Sequence, residues 1–286
     1  MSPNPIVHLD ASVVMVACGG HHTVAVGSEG EVYSWGWGNE GQLGNGSQHD
    51  QLTPTIVRGL DSQRICSAAC GYYHTVVSTE TGAVFCWGKG SAGQLGFGDP
   101  ASSLVPRPLA ALSQHRVHQV ACGAAHTLAV ANGGEVFAWG QGGDGQLGVG
   151  PPCADSAADA HEPRRVVGLD GVAIALVACG SRHSLAAAAD GRLFTWGLGD
   201  DGRLGHGDAE PRHSPAHVCA GGALERARVR GIAGGGHHSA AVTEAGQILT
   251  CGRGTYGQLG HGRAASADTF TQARRPPACP RPLPPN

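Results

Sequence analysis

A motif repeats five times along the 286-residue chain, and this repeat constrains the fold more than any other feature. A Trp-Gly pair begins at Trp35, Trp87, Trp139 and Trp196, and Cys-Gly replaces it at Cys251. Successive copies are 52, 52, 57 and 55 residues apart. A Gln-Leu-Gly or Arg-Leu-Gly triplet and a His-Thr or His-Ser pair recur in the same register. Tandem units of about 50 residues are typical of propellers and other repeat folds.

Each repeat is predicted to form four short β-strands. In the first repeat, apolar runs occupy residues 13–17, 23–26 and 31–35, and Gly30 supplies a turn between the last two. A further run follows Pro54. Four short strands in about 50 residues indicate a propeller blade, and no helical pattern lies between the strands. Glycine makes up 47 of the 286 residues, which also disfavours long helices.

The predicted fold class is therefore all-β, a β-propeller of four-stranded blades with five recognisable repeats. We place the start of each repeat at a proline-led strand. The predicted repeats span residues 5–53, 54–105, 106–162, 163–214 and 215–262. Residues 263–286 are predicted to be a proline-rich, disordered tail. The alanines of segment 185–189 favour helix, but its register in the repeat predicts a strand.

Two strings carry a family resemblance. Ala-Cys-Gly-x-x-His-Thr, followed after a glycine turn by Trp-Gly-x-Gly-x-x-Gly-Gln-Leu-Gly-x-Gly, resembles the repeat of the regulator of chromosome condensation (RCC1-type) family over residues 5–262. The resemblance implies a β-propeller that serves as a rigid binding platform. Members of the family usually have seven repeats, so five recognisable repeats imply a truncated or open propeller.

The repeated glycines, histidines and tryptophans are predicted to be structural. Every unit contains G-x-G-x-x-G, but the third glycine enters the Leu-Gly triplet instead of a helix that could face a pyrophosphate. Histidines on sheets about 10 Å apart are too far from one another to share a metal ion. We expect each histidine to satisfy buried backbone groups and each tryptophan to fill space between blades. These residues are His22, His74, His126, His183 and His238, with Trp35, Trp87, Trp139 and Trp196.

No cofactor, metal site or catalytic constellation is predicted, so the chain is not expected to be an enzyme. The net charge of −3 gives no general attraction to nucleic acid or anionic lipid, and neither is expected as a partner. No apolar run reaches about 18 residues, so no membrane span is expected. The start of the sequence shows no secretory signal, and the ten cysteines then indicate reduced thiols and a cytoplasmic or nuclear location.

The dipeptide before each repeated histidine differs from unit to unit. The five are Gly20-His21, Tyr72-Tyr73, Ala124-Ala125, Ser181-Arg182 and Gly236-His237. Repeat folds keep their core positions and vary their loops, so we expect function at these positions, on one rim of the propeller. The candidate partner-binding residues are His21, Tyr72, Tyr73, Arg182 and His237. The alternative is a solvated rim that binds no partner.

A second candidate site is the loop 149–162, which is longer than its counterparts in the other repeats. It carries three acidic residues, Asp155, Asp159 and Glu162. In the resembling family, the founding member uses a wedge loop on its partner, and this insertion is the one segment here that could correspond to it.

The resemblance implies three functions. The founder of the family is a nucleotide-exchange factor for a Ran-type GTPase that docks on chromatin. Plant UV-B photoreceptors use Gly-Trp-Arg-His-Thr strings, but the tryptophan position here holds Gly, Tyr, Ala, Ser and Gly, so UV-B photoreception is not expected. Propellers fused to HECT ubiquitin ligases dock substrates. We predict a non-catalytic protein-interaction platform. The alternatives are a regulator of a small GTPase and a substrate-docking propeller of a ubiquitin-ligase system, and self-association through unclosed blades is a further expectation.

Overall fold

The computed structural model describes residues 12–150, 159–219, 224 and 227–274. Within these residues the chain forms twenty β-strands and two 3-10 helices, Ala110–Leu112 and Asp200–Gly202. The strands make five four-stranded antiparallel sheets, each ordered as a simple meander along the chain. The predicted all-β fold of four-stranded blades is confirmed.

The sheets follow one another in sequence, and each holds four consecutive strands. The first sheet contains β1 (Val13–Cys18), β2 (His22–Gly27), β3 (Val32–Gly36) and β4 (Gln51–Ile56). The second contains β5 (Ile65–Cys70), β6 (His74–Thr79), β7 (Val84–Gly88) and β8 (Ser103–Pro108). The third contains β9 (Val117–Cys122), β10 (His126–Ala131), β11 (Val136–Gly140) and β12 (Ala160–Arg165). The fourth contains β13 (Ile174–Cys179), β14 (His183–Ala188), β15 (Leu193–Gly197) and β16 (Arg212–His217). The fifth contains β17 (Val229–Gly234), β18 (His238–Thr243), β19 (Ile248–Gly252) and β20 (Ala267–Gln272).

The second strand of each central sheet lies in the core. Every residue of β6, β10 and β14 is buried, because a sheet on each side covers both faces. Strand β14 is rich in alanine and still forms a strand, so packing overrides its helix propensity. The tight turn before the third strand has glycine at positive φ in all five sheets, as at Gly30 with φ of 97°.

The proline-led strands close the preceding sheets, and this corrects the predicted repeat limits. Pro54 lies in β4, which pairs with β3 through Tyr33 and Ile56. The same holds for Pro106, Pro163 and Pro215 in β8, β12 and β16. A boundary at residue 54 therefore divides a sheet. Proline is tolerated there because these strands form the outer edge, where a missing N–H breaks no ladder.

The predicted tail also begins too early. Residues Ala267–Gln272 form β20 and pair with β19, with Gln272 opposite Leu249. This strand carries no proline, so it lacked the marker that identified its counterparts. Residues 275–286, the rest of the predicted tail, and the strand expected after Pro5 lie outside the described residues.

The first strands of consecutive sheets pack side by side around a common axis. Their ends surround a central cavity of about 180 Å³ to which all five sheets contribute. Among the described residues, no hydrogen bond joins the fifth sheet to the first, so the ring is open there. Val16 of β1 is consequently 64% exposed, whereas Val120, its counterpart in β9, is 4% exposed. No helix among the described residues is long and apolar enough to cross a membrane.

Candidate protein-binding rim

A small network of hydrogen bonds, anchored by a histidine, joins each sheet to the next. At the junction between the second and third sheets, His74 Nε2 lies 3.0 Å from Thr127 Oγ1. The Thr127 hydroxyl donates to the backbone carbonyl of Gln94 at 3.2 Å, and Trp139 Nε1 donates to the same carbonyl at 2.9 Å. Because that hydroxyl has one proton and gives it to the carbonyl, His74 must be the donor at Nε2. The three markers of the repeat therefore meet at one point between sheets.

The same pairing occurs at all four junctions. The histidine–hydroxyl pairs are His22–Thr75 at 2.9 Å, His74–Thr127 at 3.0 Å, His126–Ser184 at 3.1 Å and His183–Ser239 at 2.9 Å. The prediction that these histidines satisfy buried backbone groups is thus wrong, since the partner is a hydroxyl of the next sheet. His238 and Trp35, at the two open faces, are only partly buried.

Burial keeps these imidazoles neutral. It lowers the pKa of His74 and His183 to about 3 and that of His22 and His126 to about 4. The glycine of each Ala-Cys-Gly triplet makes room for the ring. A Cβ at Gly123, for example, would overlap Cε1 of His126. The four buried histidines are therefore neutral near neutral pH, and each keeps one ring proton, which it donates from Nε2 to the hydroxyl of the next sheet.

Burial also makes the cysteines of the second, third and fourth Ala-Cys-Gly triplets, which are Cys70, Cys122 and Cys179, unreactive. Burial raises the pKa of the Cys70 thiol to about 12 and raises the pKa of Cys122 strongly. A protonated thiol is a poor nucleophile and a poor metal ligand. Among the described residues, no group of three or more His, Cys, Asp or Glu side chains is placed to hold a metal ion.

The variable dipeptides meet at one end of the central cavity. Their first residues, which are Gly20, Tyr72, Ala124, Ser181 and Gly236, line the cavity mouth. Backbone hydrogen bonds tie neighbouring dipeptides together, such as Tyr72 N to Ala124 O at 3.1 Å. The structure therefore brings the predicted rim residues onto one surface, which we call the rim.

Four aromatic side chains form one part of the rim. The Trp37 and Tyr73 ring centroids are 5.2 Å apart at 60°, and those of Tyr72 and Tyr73 are 6.1 Å apart at 69°. His21 stacks on Tyr73 at 6.2 Å and meets Trp37 edge-on at 5.9 Å. We call these residues, His21, Trp37, Tyr72 and Tyr73, the aromatic rim cluster. Tyr72 is 47% exposed.

The other part of the rim is polar. Arg182 Nε lies 2.6 Å from Asp144 Oδ2 and its Nη2 donates to Oδ1 at 2.8 Å. His237 Nδ1 lies 3.1 Å from Arg203 Nη2. Arg182 and His237 are therefore each held by a side chain of the preceding repeat, and the alanines at 124 and 125 lie between this part of the rim and the aromatic rim cluster.

A second variable position, which is not among the predicted rim residues, contributes to the rim. The residue after each Trp-Gly or Cys-Gly pair donates its N–H to the carbonyl of the second dipeptide residue, as Trp37 does to His21 at 2.9 Å. These residues are Trp37, Lys89, Gln141, Leu198 and Arg253. These five residues differ from repeat to repeat as much as the dipeptides do, so the same variability could have identified this position from the sequence.

Of the three acidic residues of the predicted insertion loop, the described part of the chain contains Asp159 and Glu162, and Glu162 is exposed. Asp159 Oδ1 accepts the N–H of Gly142 at 3.0 Å, as Asp50 accepts that of Gly38 in the first sheet. Glu162 lies in β12, and its carboxylate lies so close to Gly98 that a Cβ added there would be 2.8 Å from Oε1. Asp155 lies outside the described residues. Asp159 and Glu162 thus occupy positions that have counterparts in the other repeats.

The comparisons with known proteins agree with this architecture. The sequence profile of the RCC1-like domain matches residues 2–285. The chain is 39% identical over 277 residues to the ultraviolet-B receptor UVR8 of Arabidopsis thaliana, covering 96% of this chain and 61% of that protein. It is 37% identical over 279 residues to the human E3 ubiquitin-protein ligase HERC2, covering 96% of this chain and 6% of that protein.

A solved structure extends the match to three dimensions. The crystal structure of Prp20p from Saccharomyces cerevisiae superposes with a TM-score of 0.79 at 29% identity, covering 92% of this chain and 63% of that one. The chain thus spans less than two thirds of the length of these relatives. Repeat register, sheet topology and these likenesses agree, and the chain belongs to the RCC1-like domain family.

Proposed function

We propose that the chain is a non-catalytic protein-interaction platform that binds its partner through the rim. The observation that carries the proposal is the aromatic rim cluster, in which residues from the variable positions of two repeats assemble into one partly exposed surface. Tyr and Trp are enriched at the energetic centres of protein interfaces because they bury a large area at a small entropic cost. The histidine–hydroxyl hydrogen bonds between neighbouring sheets hold this surface in place.

A double variant tests the proposal. Tyr72→Ala with Tyr73→Ala removes two rings from the rim and changes no junction residue. We expect the variant to lose most protein partners that chemical crosslinking captures on the unaltered chain, while its thermal unfolding changes little. Tyr256→Ala is the matched control, because Tyr256 is 84% exposed on a loop of the fifth sheet. Equal capture by the double variant and the unaltered chain would show that partners bind elsewhere.

A regulator of a small GTPase is the second candidate. Prp20p, which this chain resembles, was described together with its binding properties to Gsp1p and histones. A direct test adds the purified chain to Ran, Rab and Rho GTPases loaded with a fluorescent nucleotide. Faster nucleotide release from one of them would support exchange activity, and unchanged release from all would exclude it for those substrates.

A substrate-docking role in a ubiquitin-ligase system is the third candidate, and the likeness to HERC2 favours it. The likeness covers 6% of HERC2, and this role predicts binding of a substrate without ubiquitin transfer by the residues described here. Identification of ubiquitin-ligase components or their substrates among the captured partners would distinguish it from the general platform.

A further inference from the structure

The rings of the aromatic rim cluster lie at steep angles to one another. Its ring planes meet at 60° for Trp37 with Tyr73 and at 69° for Tyr72 with Tyr73. At these angles the rings do not cover one another completely: Trp37 and Tyr73 are partly buried, and Tyr72 is 47% exposed, although His21 stacks on Tyr73. The adjacent alanines at 124 and 125 place no bulky side chain beside Tyr72 and Tyr73. An extended segment can therefore lie across the rings.

The charged side chains around the cluster already form ion pairs with one another. Lys89 Nζ lies 5.4 Å from the Tyr73 ring centroid and 3.0 Å from Glu40 Oε1. Across the alanines, Arg182 is paired with Asp144. Neither sign of charge is in excess among these four side chains, so a strongly acidic or basic ligand gains little long-range attraction here. The surface favours an uncharged ligand.

The polar atoms of the cluster suit a ligand that offers carbonyl groups. The Tyr72 hydroxyl is partly exposed and makes one long hydrogen bond, 3.3 Å, to Ser181 Oγ. It can donate to a ligand carbonyl with little rearrangement. A polyproline II segment has solvated carbonyls, few N–H groups and flat pyrrolidine rings that pack against Trp and Tyr. It is also pre-organised, so it loses little entropy on binding.

We propose that the aromatic rim cluster binds a proline-rich segment of a partner protein in the polyproline II conformation. The inference rests on the proposed function, since it names the ligand chemistry of the same rim. Trp37 and Tyr73 provide the packing surfaces, and Tyr72 provides a hydrogen bond. The chain itself carries prolines at 276, 277, 280, 282, 284 and 285, which would compete in cis.

Fluorescence anisotropy with short labelled peptides tests the proposal. The probe is (Pro-Pro-Leu)3, and the comparison peptides are (Gly-Ser-Leu)3, (Asp-Ser-Leu)3 and (Lys-Ser-Leu)3. The protein is the full chain with serine at the six prolines named above, which removes the internal competitor. We expect the proline peptide to bind at least about tenfold more tightly than the other three. Tighter binding of the acidic, basic or flexible peptide would overturn the proposal.

Variants then locate the binding site. Trp37→Ala and Tyr73→Ala should each weaken binding of the proline peptide about tenfold or more. Tyr256→Ala should leave it unchanged, and Tyr72→Phe, which keeps the ring, should weaken it less than Tyr72→Ala. If an alanine variant unfolds, Trp37→Leu provides the same test with an apolar side chain. Equal affinity in the Trp37 and Tyr73 variants would place the peptide elsewhere and overturn the proposal.

The two proposals fail in distinguishable ways. If the Tyr72→Ala, Tyr73→Ala double variant loses its crosslinked partners but no proline peptide binds the unaltered rim, the ligand chemistry is wrong and the platform stands. If the double variant keeps all its partners, the platform itself is wrong, whatever the peptides do.

Discussion

One buried histidine at each junction joins two sheets through a single ring nitrogen. The His126 ring fills the space above Gly123 and places Nε2 3.1 Å from Ser184 Oγ. That hydroxyl in turn donates to the Gln146 carbonyl at 2.7 Å. Removing the ring would leave both a cavity and a hydroxyl that has lost its donor. His238 has the same position in its repeat but faces the open side of the fifth sheet and is only partly buried.

His126→Ala is therefore expected to lower the free energy of unfolding by about 2–4 kcal/mol, the sum of a cavity and a lost buried hydrogen bond. His238→Ala is the matched control and should cost about 1 kcal/mol or less, because the side chain is half-buried with no hydrogen bond among the described residues. Urea unfolding followed by tryptophan fluorescence measures both. Equal losses would show that the junction hydrogen bond contributes little.

The same histidines make stability depend on pH. The pKa of His22, His74, His126 and His183 is about 3 or 4 in the folded chain, against 6.5 for an ordinary histidine. Between these values the unfolded chain binds more protons than the folded chain. The stabilisation is therefore complete above pH 6.5 and is lost as the pH falls toward 4.

We expect a steep fall in the free energy of unfolding between pH 6.5 and 4, at about 1.4 kcal/mol per pH unit for each histidine that stays neutral in the fold. Urea midpoints at pH 8, 7, 6 and 5 measure the dependence. Midpoints should be nearly equal at pH 8 and 7 and lower at pH 6 and 5. A flat profile from pH 7 to 5 would mean that the folded histidines titrate normally.

At the scale of the element, the loop after β15 differs from its counterparts because Arg203 replaces the glutamine of the Gln-Leu-Gly triplet. In four repeats the Gln of Gln-Leu-Gly accepts the N–H two residues before it, as Gln146 Oε1 does from Asp144 at 2.8 Å. Arg203 takes that position in the fourth repeat and cannot accept. Its Nε instead donates to the Asp200 carbonyl at 2.8 Å, and Asp201 adopts a left-handed φ of 61°.

Arg203→Gln should restore the common loop and raise the free energy of unfolding by about 1 kcal/mol. Arg203 is 1% exposed, and its Nη1 has no hydrogen bond among the described residues, so its burial is costly. The left-handed Asp201 adds strain that a Gln acceptor would remove. Thermal unfolding measures the change, with Gln146→Arg as the reverse variant expected to destabilise. A lower melting temperature for Arg203→Gln would show that the charged network stabilises the loop.

Sequence periodicity could predict the strands but not their partners. The repeat located each strand near its observed place, since the markers lie at strand ends. Pairing of the proline-led strand with the preceding sheet depends on a long loop, and nothing local in Pro54 reveals which neighbour it joins. The dipeptides of the rim were visible as variable positions. The contact of Tyr73 with Trp37 was not, because it joins residues of two different repeats.

At the scale of the whole molecule, the contacts that join neighbouring sheets are absent, in the part of the chain that the structure describes, at the first face of the first sheet and the last face of the fifth. No described residue forms a sheet against Thr23 and Trp35 of the first sheet or against His238 of the fifth. Val14 and Val16 of β1 are 65% and 64% exposed on the first of these faces. An exposed apolar sheet face is a site for association with other chains.

The chain of 286 residues is therefore expected to self-associate through this face as its concentration rises. Val16→Lys should reduce the association and leave thermal unfolding nearly unchanged, because the added charge lies in solvent. Val120→Lys is the matched control: the equivalent position between the second and third sheets is buried, so the same substitution should prevent folding. Sedimentation velocity over a concentration series measures association. A chain that stays monomeric throughout, or an unchanged profile for Val16→Lys, would show that the open face of β1 does not drive it.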